Sequence, residues 1–237
     1  MDRDRKTAMY AGLLFLATIV FSIPAVGIYG EVRTDPNYIV GAGQDARVYL
    51  GAFLELLTAA ANIGTAVVLY RIVRRVSDSV AIGYVAIRTL ESTLIVIGLI
   101  GLLSVVTMRQ DFTSTAGADP AQYIAIGKSL VAIHDWTFII GPAFCAAIGN
   151  GIMLGYLMYR GELVPRPWAI LGMAAGSIAL VSAVLQLFAV YENQSAISAV
   201  LIVPEVVWEF FLGIYLTFKG FTPSPFLGDK PATASTR

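Results

Sequence analysis

Residues 82–107 read IGYVAIRTLESTLIVIGLIGLLSVVT. Arg88 and Glu91 are the only charges in this stretch. At about 1.5 Å per residue, a helix of this length crosses the roughly 30 Å hydrocarbon core of a bilayer. Five further stretches are similarly apolar: 7–29, 48–70, 129–159, 168–191 and 197–218. Lipid offers no partner to backbone N–H and C=O groups, so apolar runs of about 20 residues cross it as helices. The expected fold is all-α, an integral membrane bundle of six transmembrane helices. Residues 1–221 form one domain in this reading. Residues 222–237, rich in Pro, Ser, Thr and Ala, form a disordered cytoplasmic tail.

Composition agrees. Hydrophobic residues are 57% of the chain and charged residues 14%, with a mean hydropathy of +0.74. A soluble domain is about 45–50% apolar and about 25% charged. The formal net charge is zero, so nothing points to nucleic acid as a partner. The first stretch is too long for a signal-peptide core and reads as a retained span. The single cysteine, Cys145, rules out an internal disulfide framework.

Cationic residues set the expected orientation. Arg3, Arg5 and Lys6, then Arg71, Arg74 and Arg75, then Arg160 and Arg166, and finally Lys219, Lys230 and Arg237 fall on one side of a six-span chain. Arg33, Arg47, Arg109 and Lys128 fall on the other, in longer loops. The bias places both termini in the cytoplasm. The outer loops, 30–47 and 108–128, read as irregular caps. Asn193-Gln194-Ser195 matches a glycosylation sequon but lies on a turn close to the membrane.

The distinctive feature is charge inside the spans. Counted from the cytoplasmic ends, Arg88 lies about 9 Å deep, Asn62 about 12 Å and Asn150 about 13 Å. Glu91 and Glu209 lie about 14 Å deep, and Glu55 and Glu205 about 20 Å. Glu55, Thr58, Asn62 and Thr65 recur at helical spacing, as do Arg88, Glu91 and Ser92, and Glu205 with Glu209. A charge facing lipid at mid-membrane costs from about 2.5 kcal/mol upward. These faces are therefore expected to turn toward one another, with Arg88 paired to Glu91 or Glu209. One cation against four carboxyl groups leaves an excess. One or more glutamates should hold a proton at neutral pH, unless a cation binds among them. The plain alternative is a polar network that only fixes helix register.

Several weaker features accompany the belt. Pro24, Pro142 and Pro204 lie within spans, and each removes a backbone donor. His134 and Asp135 open the fourth span near the outer surface, where a His beside an acid can shuttle protons or simply anchor structure. Gly151/Gly155 and Gly172/Gly176 have the spacing that lets helices approach closely, within one chain or in a homo-oligomer. One histidine excludes two-histidine haem ligation and a His-rich zinc site. No lysine sits inside a span and no phosphate-binding loop is present; Gly41-Ala42-Gly43 lacks the third glycine of a dinucleotide fingerprint. No cofactor and no metal is expected.

Several separated motifs together carry a resemblance. They are Gly83-Tyr84 with Arg88-Thr89-Leu90-Glu91, then His134-Asp135-Trp136-Thr137-Phe138, and then Leu163-Val164-Pro165-Arg166. The last is Pro204, Glu209, Gly213 and Lys219-Gly220-Phe221 in that order. The chain resembles the prokaryotic multi-pass membrane proteins grouped as domain of unknown function 4386. The resemblance implies six spans in a prokaryotic cell membrane and no particular activity.

Three functional expectations follow. The leading one is a small transporter or binder of a proton, cation or small polar solute. Its site would be Arg88, Glu91, Glu209, Glu205, Glu55, Asn62 and Asn150, with the bilayer as surroundings. The second is a non-catalytic regulatory or scaffolding protein, which requires a self-satisfied, dry belt. The third is an intramembrane lipid-modifying enzyme using His134 and Asp135 or the glutamates as acid and base, which requires a pocket at those groups.

Overall fold

The computed structural model describes residues 2–41, 43–192 and 195–227. Six helices are long and apolar enough to cross a membrane. We number them α1 (Arg3–Ile28), α2 (Asp45–Val73), α3 (Asp78–Ser114), α4 (Pro120–Arg160), α5 (Arg166–Leu187) and α6 (Ala196–Phe218). No strand occurs among the described residues. The sequon, the Gly41-Ala42-Gly43 segment, and the end of the tail with Lys230 and Arg237 fall wholly or partly outside them.

Boundaries follow local chemistry. The Asp2 side chain accepts from the Arg3 N–H and caps α1. Asp119 caps α4, and Pro120 follows at the first helical position, where a missing N–H costs nothing. The 108–128 segment is therefore mostly helix rather than an irregular cap: α3 runs on to Ser114 and α4 starts at Pro120. Residues 30–47 also hold a short helix, Gly30–Thr34, and a 3-10 turn, Tyr38–Val40. The fifth span ends at Leu187, before the expected 191. Ala189 turns at φ 54°, and Tyr191 folds back to bond with Ser182.

The helices pack in chain order as a ring: each contacts its sequence neighbours, and α6 closes on α1. The start of α1 and the end of α6 lie on one face. The Arg5 guanidinium donates to the carbonyls of Leu216, Thr217 and Phe218 and caps the end of α6. The start of the tail docks there too: Thr222 N–H donates to the Leu163 carbonyl, and Arg75 donates to that of Phe226. On the opposite face Arg33 pairs with Asp135 at 2.7 Å, and Arg109 pairs with Asp45.

Two apolar clusters fill the ring. The one toward the termini includes Phe15, Leu69, Trp208 and Leu212. The one toward the other face includes Tyr29, Ile39, Leu102 and Val106. The polar residues of the spans lie between them. The small-residue faces serve contacts within the chain. A methyl group on Gly151 would lie 2.9 Å from the Gly176 N, and one on Gly172 would lie 2.5 Å from the Trp208 ring.

Candidate functional site

Helical spacing turns one face of α2 inward, so Glu55, Thr58, Asn62 and Thr65 are all buried. On α3 the same spacing buries Arg88, Glu91 and Ser92. Arg88 Nη1 donates to Glu91 Oε2 at 2.5 Å, and Nη2 donates to Asn62 Oδ1 at 2.5 Å. Asn62 Nδ2 donates to Glu91 Oε1 at 3.2 Å. The three side chains thus close a ring across α2 and α3. Of the two expected partners for Arg88, the structure selects Glu91.

The α4 contribution has a backbone cause. Residues Ile139–Cys145 and Ala147–Leu154 are π-helical, with Pro142 in the first of these segments. A π turn shifts the side-chain register and leaves carbonyls free for other donors. Trp208 Nε1 donates to the Asn150 carbonyl at 2.9 Å. The Asn150 side chain accepts from the Tyr84 hydroxyl at 3.3 Å and donates to Glu209. The glycines flanking Asn150 make room. A methyl at Gly149 would lie 3.3 Å from Arg88 Cδ, and one at Gly151 would lie 2.8 Å from Glu205 Oε2.

Glu205 is the exception in the belt. It is 3% exposed, and neither carboxyl oxygen has a hydrogen-bond partner. A buried polar group left unpaired costs about 1–3 kcal/mol, and a charged one more. Arg88 Nε and His134 Nε2 are also buried without partners.

A cavity of about 420 Å³ runs beside these groups, lined by Glu55, Asn62, Arg88, Glu91, Glu205 and Glu209 together with apolar side chains of α1, α4 and α6. Six of the seven expected belt residues thus share one space. The seventh, Asn150, reaches it through Glu209. His134 stands apart from the cavity. Its Nε2 lies 3.9 Å from Glu55 Oε1 and its Nδ1 3.5 Å from Asp135 Oδ1. Asp135 borders a smaller hollow of about 160 Å³ at the loop face. His134 therefore stands between an outer carboxylate and a belt carboxylate. Tyr29 reaches Glu55 as well, its hydroxyl donating to Oε2 at 3.3 Å.

A family model, Domain of unknown function (DUF4386), matches residues 10–220. The chain belongs to the DUF4386 family. The match runs from within α1 to just past α6, and it names the family the sequence resembled. No curated protein and no solved structure matches this DUF4386 member.

Some of this candidate site escaped the sequence. Nothing in the sequence reading ties Tyr29, Tyr84 or Trp208 to the belt, yet each bonds a belt residue. The available hint was Gly149-Asn150-Gly151, an asparagine between two residues with no side-chain bulk. The π-helical stretch had only Pro142 as a signal.

Proposed function

We propose that this protein binds a proton, a cation or a small polar solute in the central cavity and carries it through the membrane. The observation that bears this reading is Glu205: a buried carboxyl group with two unpartnered oxygens, on a cavity it shares with three other glutamates. Arg88 is already held by Glu91 and Asn62 and serves as the internal counter-ion. Glu205 and Glu209 are the exchanging groups, with Asn150 fixing Glu209. Glu55 and Asn62 line the approach. Turnover of substrate bonds plays no part in this reading.

The scaffolding alternative needs a dry belt with every group satisfied. An unpartnered carboxyl on a cavity counts against it. The lipid-modifying alternative needs a pocket at His134, Asp135 or the glutamates. Asp135 borders the smaller hollow and four glutamates border the cavity, so turnover of a lipid by the purified chain, lost in Glu209→Gln, is the outcome that would favour it. The protein is assigned to the cell membrane of a prokaryote, with both termini in the cytoplasm.

The test follows thermal unfolding of the purified chain in detergent against pH and against sodium or methylammonium. The expected result is a midpoint that depends on pH or cation, with the dependence lost or displaced in Glu209→Gln and Glu205→Gln. Variants that fold normally and keep the full dependence overturn the reading.

A further inference from the structure

Apolar clusters pack toward both ends of the ring, whereas sideways the cavity wall includes exposed side chains. Near the termini α1 and α6 touch: a methyl at Gly12 would lie 2.7 Å from the Gly213 carbonyl, and one at Gly213 would lie 2.8 Å from Leu16 Cδ2. Farther along, Ile23 and Val26 of α1 and Ile202 and Val206 of α6 line the cavity instead. Ile23 is 63% exposed and Val206 42%, so the same side chains belong to the cavity wall and to the lipid-facing surface. The gap between the two helices is a mouth with apolar lips.

A second cavity of about 380 Å³ adjoins the first, and the two share Val26, Phe138, Pro142 and Ile202 as lining. Its walls include Ala143, Ala179 and Ala199 together with Ser182, Gln186 and Ser198, whose polar groups are bonded within the protein: Gln186 donates to Ser182, and Ser198 to the Ser195 carbonyl. A passage from the lipid thus leads to Glu205 in one direction and, in the other, to a mostly apolar chamber whose polar side chains are already bonded.

We infer that the site takes a single-chain lipophilic ammonium ion from the membrane, entering between α1 and α6. Its charged head rests on the unpartnered Glu205 carboxylate and its alkyl chain in the adjoining chamber. The inference rests on the cation-binding reading of the belt and names its substrate class. Charge selects the head group. Glu205, Glu209 and Glu55 repel a carboxylate or phosphate, and the one cation, Arg88, is already engaged. The apolar lips select the chain. A hydrated inorganic ion gains nothing from them, whereas an alkyl chain exchanges lipid contacts for similar ones.

The experiment uses the full chain in lipid nanodiscs, with decylammonium, decanoate and methylammonium as probes and the unfolding midpoint as the readout. Decylammonium should raise the midpoint saturably, and decanoate should not. Glu205→Gln should weaken the decylammonium response at least tenfold. Val206→Trp fills the mouth and leaves the carboxyl groups in place. It should weaken decylammonium at least tenfold and methylammonium, which leaves no chain between the lips, by much less. If Glu205→Gln fails to fold, Val206→Trp decides. A decylammonium response that both variants leave intact, or an equal response to decanoate, overturns the inference. So does a mouth sealed by a second copy, seen as a doubled mass with no decylammonium response. If methylammonium acts through Glu205 but decylammonium acts no better, the lateral route falls and the cation site stands. If neither acts, both fall.

Discussion

At the scale of single residues, stability and binding draw on different carboxyl groups. Glu91 is held by Arg88 and Asn62, whereas Glu205 is held by nothing. Removing one member of a buried pair leaves an uncompensated charge, at a cost of about 3–5 kcal/mol, whereas replacing both with apolar residues is often neutral. Arg88→Leu alone should therefore destabilise by about 3–5 kcal/mol, and Arg88→Leu with Glu91→Leu should recover most of that loss. Denaturant unfolding of the four proteins in the cycle measures the coupling, and simple additivity would contradict a buried pair. Outside the membrane, the Tyr38 hydroxyl is pushed from 10.0 up to about 12, chiefly by burial and next by the Asp45 carboxylate it bonds at 3.3 Å. The fold favours the neutral phenol. Its contribution is whole below pH 10 and is lost as pH rises through about 12. Tyr38→Phe should flatten the alkaline fall in thermal stability over that window, and an unchanged slope would contradict the assignment.

At the scale of elements, α4 shapes the site. Its π segments bring Asn150 to Glu209 and free the Asn150 carbonyl for Trp208. Gly151 lets α5 approach on one side and leaves Glu205 space on another. Gly151→Ala would put a methyl against the Gly176 backbone and 2.8 Å from Glu205 Oε2. The expected cost is about 1–3 kcal/mol, as for other overpacked sites. Gly27→Ala is the control: nothing lies within 4 Å of its added methyl. Better helix propensity there should stabilise by up to about 1 kcal/mol. Equal effects of the two on thermal unfolding would contradict the packing account. The six spans were legible in sequence because apolar runs of this length have few other solutions. The inward faces of α2 and α3 were legible from their spacing. The link from α4 was not, because a π turn breaks the very periodicity on which face assignments depend. Loop 108–128 was misread because helices that continue past the membrane lose the apolar signal while keeping their backbone bonds. His134 beside Glu55 is a contact between distant segments that neither segment announces alone.

At the scale of the whole molecule, a ring of six helices encloses a polar middle between two apolar ends. Orientation remains a prediction from charge. Cys145 is buried, so single cysteines can be introduced against a quiet background. A membrane-impermeant maleimide added to intact cells should label Thr115→Cys and leave Lys219→Cys unlabelled until the cells are opened. The reverse pattern would place the termini outside. Binding in this protein depends on the unpartnered Glu205 carboxyl group facing the cavity. Calorimetric titration of methylammonium into the nanodisc-held chain tests it most directly. The native protein should show one saturable site per chain and a folded Glu205→Gln variant none. Equal binding by the two, or no binding by the native chain, would contradict it.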